Sequence, residues 1–589
     1  MQPELEPIEQ DIGDQLSLLT LPAANGITTT FSSNKYSTLV PSHVDLSITT
    51  KNVTSPSKIK QNRRLSSPSS PNLSSGFKIL PPLPTGSRPP EISRSQTLPR
   101  YSSFNAHLEA KPNKRCSEIA LSLDPSVVDK MRRWVLAIGI VDFDLDEGPV
   151  LTAVFPPLQL SPSEAENISF ASFPDSLQFE QGSQTHSFRI REHPPPSGPQ
   201  RAQSKDGFLY GFSHFTQKRD ENSKRGYMQR SVVVLTHLEY PAFFTSIASI
   251  FGPLYQAHGI PMLEAACHNL ATWHDPVPGT TVELGFLGSV LHLEIPKSNN
   301  EQQLTETSSF HEKYDPKRHI LASSAPLWPP PLLLFEAALS HLWSIWECLL
   351  LGEPILVFGS SPAQTSQAIW WFRDLLRPIP LSGDIRPYFT VQDGDHSILV
   401  NKLPPKAGTI LGVTNPFFEK SCAHWPHVLS LGGRVTSKSS SRPTTGPPPG
   451  WKTKTHKRYI SKNRDLLRDL EKACQGNDDA RMKASCLLRQ HFHSRTTELI
   501  TPLSRYLNTL IPSPSELSKA KSSNKTPRLK AFNSDNFFAS LKASGCTLPF
   551  RSAKQKVEFY ERWLRTPSFG LWLAQQEVIV QDVLTDHVN

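Results

Sequence analysis

The stretch WVLAIGIVDFDLDEGPVLTAVFPP, opening at Trp134, constrains the fold more than any other part of the chain. Apolar residues at strand spacing run from about Trp134 to Asp142 and from Pro149 to Phe155, and the turn Asp144 to Gly148 folds the runs together as a hairpin. In the next segment Ser161 can cap a helix, Pro162 fits its first position and Glu164 completes a capping box. HSFRI, GFLYGFSHFT and YMQRSVVVLTHL read as three more strands, the last two flanking the polar turn QKRDENSKRG. PAFFTSIASIFGPLYQAHG has helical spacing, with Gly259 and Pro261 expected to stop it. The order β, β, α, β, β, β, α describes a sheet flanked by helices, a complete small α/β domain.

A second α/β segment spans about 326–432. The helix PPPLLLFEAALSHLWSIWECLLLG leads to the strand PILVFG and the helix PAQTSQAIWWFRDLL, then to the strands YFTVQD and GTILGVT. Nearly continuous apolar strands between helices imply a sheet covered on both faces, as in parallel folds. Trp343, Trp346, Trp370 and Trp371 are expected in its core. Basic, Pro-rich RVTSKSSSRPTTGPPPGWKTKTHKR then reads as a mobile loop, and from Ser461 onward apolar residues three and four apart predict a helical portion.

Composition explains the rest of the chain. The 54 prolines and 37% hydrophobic residues among 589 exceed and fall short, respectively, of what one compact unit needs. The Ser/Pro-rich residues 1–125 are expected to form a disordered tail, with order beginning at Trp134. The net charge of +9 belongs to that tail: residues 51–115 hold twelve Lys and Arg against Glu91 and Glu109, a local +10 that leaves −1 elsewhere. Such a tail suits screened attraction to an anionic membrane or an acidic partner. Nucleic-acid binding is not expected, because no aromatic residues interleave the charges to stack bases. Seven widely spaced cysteines without a CxxC pair fit a reducing compartment. The acidic start MQPELEPIEQ lacks a signal-peptide pattern, and Glu336, His341, Glu347 and Glu353 interrupt the longest apolar run. A soluble cytoplasmic protein is therefore expected.

Motifs for chemistry are missing from the sequence. LLGEPILVFGSSP offers Gly359, Ser360 and Ser361 at a helix start where an anion can sit, but a Walker loop needs a Gly-Lys pair and the chain has none. GxSxG and HExxH do not occur. Cys422, His424 and His427 of CAHWPH supply three of the four ligands that a structural zinc site usually takes, so packing and capping are the expected roles, and neither a cofactor nor a metal is expected. In the tail, Ser66 of RRLSS and Thr97 of RSQTLP are candidate phosphorylation sites for an adaptor of the 14-3-3 type that reads phosphate with arginines.

Several strings, in order, resemble the DENN domain-containing protein 6 family: WVLAIGIVDFDLDEGPVLTAVFPP, RDENSKRGYMQRSVVVLTHL, LEAACHNLATWHDPVPG, LLGEPILVFGSSPAQTS, DIRPYFTVQD, ILGVTNPFFEKSCAHWPHVLSLG and ERWLRTPSFGLWL. The resemblance implies an α/β protein with a longin-like lobe at 130–296, a linker at 297–325, a central DENN lobe at 326–432, a basic loop at 433–458 and a helical portion at 459–585. It also implies guanine-nucleotide exchange on a Rab GTPase in endosomal and vesicle traffic, by a protein recruited peripherally to endosomal or secretory membranes and needing no catalytic acid or base. Within family-like strings, Arg225, Tyr227, Asp384, Arg386, Tyr388 and Asn415 are candidate GTPase contacts between the lobes; each can equally cap a helix, close a turn or join the lobes. Two alternatives stand beside exchange. One is a non-catalytic GTPase docking protein, and the other a GTPase-activating protein inserting Arg191 or Arg201, which flank the loop EHPPPSGPQ.

Overall fold

The computed structural model describes residues 123–175, 181–193, 201–221, 226–298, 300–301, 303, 310, 312–433, 446–523 and 528–586, all within one compact unit. The tail before residue 123, with Ser66 and Thr97, lies outside the described residues. Ahead of Trp134 stands a helix, Pro125–Met131, whose cap Asp124 accepts a hydrogen bond from the Ser126 amide at 2.7 Å.

The first lobe is a five-stranded antiparallel sheet, β1 (Ala137–Asp144), β2 (Gly148–Phe155), β3 (Gly182–Arg191), β4 (Phe208–Arg219) and β5 (Tyr227–Thr236), in the order β2-β1-β5-β4-β3. The predicted β, β, α, β, β, β, α order holds, and the capping box forms as read: Glu164 N–H donates to Ser161 Oγ, and Ser161 N–H to Glu164 Oε2. One face of this sheet packs on the helices Pro241–His258 and Ile260–Thr272, the other on the helix Pro162–Ala171. The helix Pro241–His258 stops at Gly259 as read, and Pro261 occupies the first turn of the next helix, where its missing N–H costs nothing.

The linker 297–325 contains a strand of its own. β6 (Thr281–Phe286), β7 (Ser289–Glu294) and β8 (His319–Leu321) make a three-stranded sheet in which β8 runs parallel to β7.

The central lobe carries β9 (Ile355–Phe358), β10 (Ile385–Arg386), β11 (Ile410–Val413), β12 (His427–Ser430) and β13 (Gly450–Thr453), ordered β10-β11-β9-β12-β13 and parallel except at β13. Its long apolar helix begins as a 3-10 helix, Pro331–His341, and continues as Leu342–Leu350. By length and composition this stretch is apolar enough to cross a bilayer, but 67% of it is buried against the rest of the fold, as core requires. All four predicted core tryptophans are buried. Two expectations fail. YFTVQD is no strand, because Pro387 lacks a ladder donor and Tyr388 is drawn into the first lobe, so β10 forms earlier, at Ile385–Arg386. The basic loop 433–458 lies partly outside the described residues, yet its end forms β13, an antiparallel edge beside β12.

The C-terminal portion is helical, as expected: Arg464–Cys474, Asp478–Asn508, Pro514–Ser522, Ser534–Ser544, Ala553–Trp563 and Pro567–Asp586. The final apolar run is two helices, divided at Thr566, whose hydroxyl accepts from the Phe569 amide.

Candidate functional site

Edge strand β3 is where the first lobe meets the central one. An exposed sheet edge invites non-specific pairing, and here the helix Pro362–Leu376 and β10 cover it. Trp370 Nε1 donates to Ser187 Oγ at 2.8 Å, and Arg189 Nη1 to the Ile385 carbonyl at 3.3 Å. Gly383, at φ 121°, lets the chain turn toward this edge; a Cβ there would stand 2.3 Å from the Gly408 carbonyl oxygen.

Most of the sequence-chosen residues gather at this seam. Asp384 bonds Arg386 Nε at 2.5 Å on its own lobe and Arg191 Nη2 at 2.6 Å on β3. Arg386 is fully buried, reaches Asp395 with its second nitrogen, and lies 3.6 Å from Asp393. Burial alone would depress its basicity, but the hydrogen bonds of Asp384 and the nearby charges of Asp393 and Asp395 outweigh that and push it above the ordinary arginine range. Asp395 goes the other way: burial raises it, while Arg386 and then Arg191 hold it below the usual carboxylate value. The guanidiniums of Arg189, Arg191 and Arg386 stand 3.6, 4.9 and 5.1 Å from the centre of the Phe208 ring, whose π face attracts cations.

Tyr388 and Asn415 complete the latch at the segment after Phe170. The Tyr388 hydroxyl accepts from the Asp175 amide at 2.6 Å and donates to the Phe173 carbonyl at 3.1 Å. Asn415 Nδ2 donates to Asp175 Oδ2 at 3.0 Å, Thr414 Oγ1 to the Asp175 carbonyl, and Gly394 N–H to Asn167 Oδ1. Burial raises the Asp175 carboxyl, and the bond from Asn415 partly offsets this. Asp384, Arg386, Tyr388 and Asn415 therefore join the lobes, which was one of the roles open to them. Tyr227 lies elsewhere, half-exposed at the start of β5 opposite Arg219, and Arg225 falls outside the described residues.

The two arginines of the hydrolysis alternative, Arg191 and Arg201, are held by carboxylates. Most of the loop between Arg191 and Arg201 lies outside the described residues, but both side chains are engaged. Arg201 is buried against Glu164 at 2.6 Å and Glu192 at 2.9 Å, and also donates to the Gln159 carbonyl. Arg191 is bound to Asp384 and Asp395. Withdrawing Arg201 would take the arginine from two buried carboxylates, and withdrawing Arg191 would leave Asp384 and Asp395 to Arg386 alone. The Gly359–Ser361 turn is likewise an ordinary helix start: Ser361 Oγ accepts from the Gln364 amide, Ser360 N–H donates to Gln364 Oε1, and Gly359 N–H donates to the Val413 carbonyl.

A surface that the sequence reading missed lies beside the latch. Ile398, Leu403 and Phe417 are 56%, 70% and 48% exposed; the His396 ring is 6.0 Å from that of Phe417, and Asn401, whose Oδ1 accepts from the Leu403 amide, donates to the Ser397 and Ile398 carbonyls. Phe417 is two residues from Asn415, and its amide donates to Asn415 Oδ1. The signal was available in NPFFEK, where only one of two adjacent phenylalanines can face the core: Phe418 is buried and Phe417 is not. A cavity of about 310 Å³, lined by Arg189, Phe208, Glu239, Trp370 and Leu381, opens at the same seam.

No family model matches the chain. Over 468 residues it is 30% identical to Protein DENND6B of Homo sapiens, covering 75% of this chain and 79% of that protein. It is 29% identical over 488 residues to Protein DENND6A of Gallus gallus, covering 78% and 82%, and 26% identical over 551 residues to the Protein DENND6 homolog of Dictyostelium discoideum, covering 80% and 75%.

Proposed function

The chain belongs to the DENN domain-containing protein 6 family, and from that premise we propose that it is a guanine-nucleotide exchange factor promoting GDP release from a Rab GTPase. The observation that carries this reading is the latched seam, where buried ion pairs and hydrogen bonds hold two α/β lobes as one preformed surface with exposed apolar residues at its rim. Exchange needs such a surface and no acid or base. A GTPase holds GDP through phosphate and Mg²⁺ contacts made partly by its switch segments, so a partner that binds the displaced switches better than the closed ones lowers nucleotide affinity. By linkage, the preference for the empty form equals the loss in nucleotide affinity, about 1.4 kcal/mol per factor of ten. Ile398, Leu403 and Phe417 supply the apolar contact, while Asp384, Arg386, Tyr388 and Asn415 hold the platform. Engaged arginines argue against hydrolysis stimulation. The same reading puts the protein in the cytoplasm, recruited to endosomal or secretory membranes, with the basic tail as the segment to test for anionic-lipid or phospho-adaptor binding.

Release of a fluorescent GDP analogue from a panel of purified Rab GTPases, with the full chain added, tests the proposal. Acceleration on one or two members is expected. No acceleration across a complete panel, together with preferential binding of GTP-loaded Rab, would replace exchange by docking. Phosphate release that collapses in Arg191→Ala or Arg201→Ala would replace it by hydrolysis stimulation.

A further inference from the structure

Far from the latch, where the central sheet meets the helical portion, four side chains from separate segments converge. Cys348 stands near the end of the helix Leu342–Leu350, Glu353 in the turn before β9, His427 at the start of β12, and His456 just after β13. Cys348 Sγ, a Glu353 carboxylate oxygen and a ring nitrogen of His456 all lie within 4.8 Å of one another. His427 stands outside that set and borders it: its ring centre is 6.4 Å from that of His456, while its Nε2 is 3.9 Å from Cys348 Sγ and hydrogen-bonded to Glu353 Oε2, so a bound ion would draw it inward.

The surroundings prepare these groups as ligands. Glu347 Oε2 accepts from His456 Nε2 at 2.8 Å and from the Tyr459 amide, while its Oε1 accepts from the Ile460 amide. A carboxylate so placed only accepts, so His456 Nε2 carries a proton, and in the neutral imidazole Nδ1 presents a bare lone pair. That atom is buried on a side chain 1% exposed and has no hydrogen-bond partner. A buried polar atom left alone costs about 1–3 kcal/mol, so its presence beside a thiol and a carboxylate points to a missing partner. His427 Nδ1 pairs with Thr453 Oγ1 at 3.0 Å under the stacked Trp451 ring, and Glu353 Oε1 accepts from Arg562 Nη2 at 2.6 Å. Each histidine thus has an oxygen partner on the nitrogen remote from the cluster, which is how metal-bound imidazoles are oriented.

From this arrangement we propose that the chain binds one Zn²⁺ through Cys348 Sγ, the Glu353 carboxylate, His427 Nε2 and His456 Nδ1. Sulfur with imidazole and one carboxylate suits zinc and not Mg²⁺ or Ca²⁺, which prefer all-oxygen sets. In a tetrahedron with Zn–S about 2.3 Å and Zn–N about 2.0 Å, sulfur and nitrogen stand roughly 3.5 Å apart, close to the Cys348–His427 separation. Thiolate and carboxylate together cancel the ion's charge, leaving a neutral centre suited to burial. On binding, the Cys348 proton leaves to solvent, and the proton that His427 shares with Glu353 moves to Nδ1, facing Thr453. The ion would clip the edge pair β12–β13 to the turn that starts β9, independently of any GTPase. CAHWPH contributes His427 alone; Cys422 is buried in a different cluster, and His424 bonds the Leu403 carbonyl.

Full-length protein is loaded with Zn²⁺, dialysed and assayed by elemental analysis, and with Co²⁺ in place of zinc it is examined by visible and near-ultraviolet absorption. About one equivalent of zinc is expected, with tetrahedral ligand-field bands and thiolate-to-cobalt charge transfer. His456→Gln should weaken binding more than about 100-fold and Glu347→Gln about 10–100-fold; Cys348→Ser should abolish the charge-transfer band. Folded protein that takes up no metal, or cobalt bound without the thiolate band, overturns the proposal. So does binding unchanged in both Cys348→Ser and His456→Gln. Should Cys348→Ser not fold, the native cobalt spectrum decides alone.

Discussion

Two seams hold this molecule together, and they use different chemistry for similar tasks. At the first, β3 meets the central lobe through Arg191 and Arg386 set among Asp384, Asp393 and Asp395. At the second, the central sheet meets the helical portion through Glu347, Glu353, His427, His456, Tyr459 and Arg562. Arginine stays charged at any accessible pH and presents a planar fork to two carboxylates at once. Histidine and cysteine change protonation state and bind metals. The cations of the first seam are therefore fixed and only its carboxylates answer to acid, whereas the second also holds groups that can bind ions.

The largest expected effect is at the first seam. Arg386→Ala leaves Asp393 without its buried counter-charge and Asp384 and Asp395 with Arg191 alone, and should cost about 3–5 kcal/mol in urea unfolding; a loss below about 1 kcal/mol would show that the seam rests on packing alone. Acid should act next, in two stages. Burial holds the His186 and His491 imidazoles down to about 4, so the unfolded chain takes up protons that the folded chain refuses, and stability should fall as pH drops from 6.5 toward 4. Glu353 behaves as a depressed acid. Burial raises it, but the hydrogen bonds of His427 and Arg562 hold it at about 2, so its contribution, complete above about pH 4.5, is lost as pH falls toward 2. Urea midpoints measured from pH 8 to 3 check both stages, and Glu353→Gln should remove the second seam's share of the lower one.

Tyr388→Phe deletes both hydroxyl bonds across the first seam and should cost about 1–2 kcal/mol. Arg562→Ala, at a partly exposed pair, should cost about 1 kcal/mol or less, so a double-mutant cycle of the two should be additive. Leu403→Asp marks the small end for stability, within about 0.5 kcal/mol, but should slow Rab nucleotide exchange more than about 10-fold if the rim engages the switches. Unchanged exchange in this variant would move the contact surface away from Leu403.

Local pattern carried much of the fold. Strand alternation and turn residues located β1 to β5, and the Ser161 capping box and the helix Pro362–Leu376 stand where their caps predict. Four-residue strands were harder. An apolar run as short as β12 looks the same in a buried strand or a loop, and β13 pairs with it across a gap that composition makes look like a linker. The first-seam residues were legible as types in DIRPY and VTNP, but their partners were not: Arg191 lies 193 positions from Asp384, and Tyr388 bonds a carbonyl 215 positions away.

By itself, the sequence determined the order of elements in the first lobe, the α/β class and the lack of familiar catalytic motifs, because periodicity, caps and turn chemistry act over a few residues, while the family followed from the resemblance of whole strings. Tertiary structure alone decided that Arg191 and Arg201 are bound and not free, that Arg386 and Tyr388 brace the lobes, and that Cys348, Glu353, His427 and His456 converge. The physical reason is the same in each case. A charge or lone pair is satisfied by whichever group the packed chain brings within about 3 Å, and no local pattern records which segment folding will bring there.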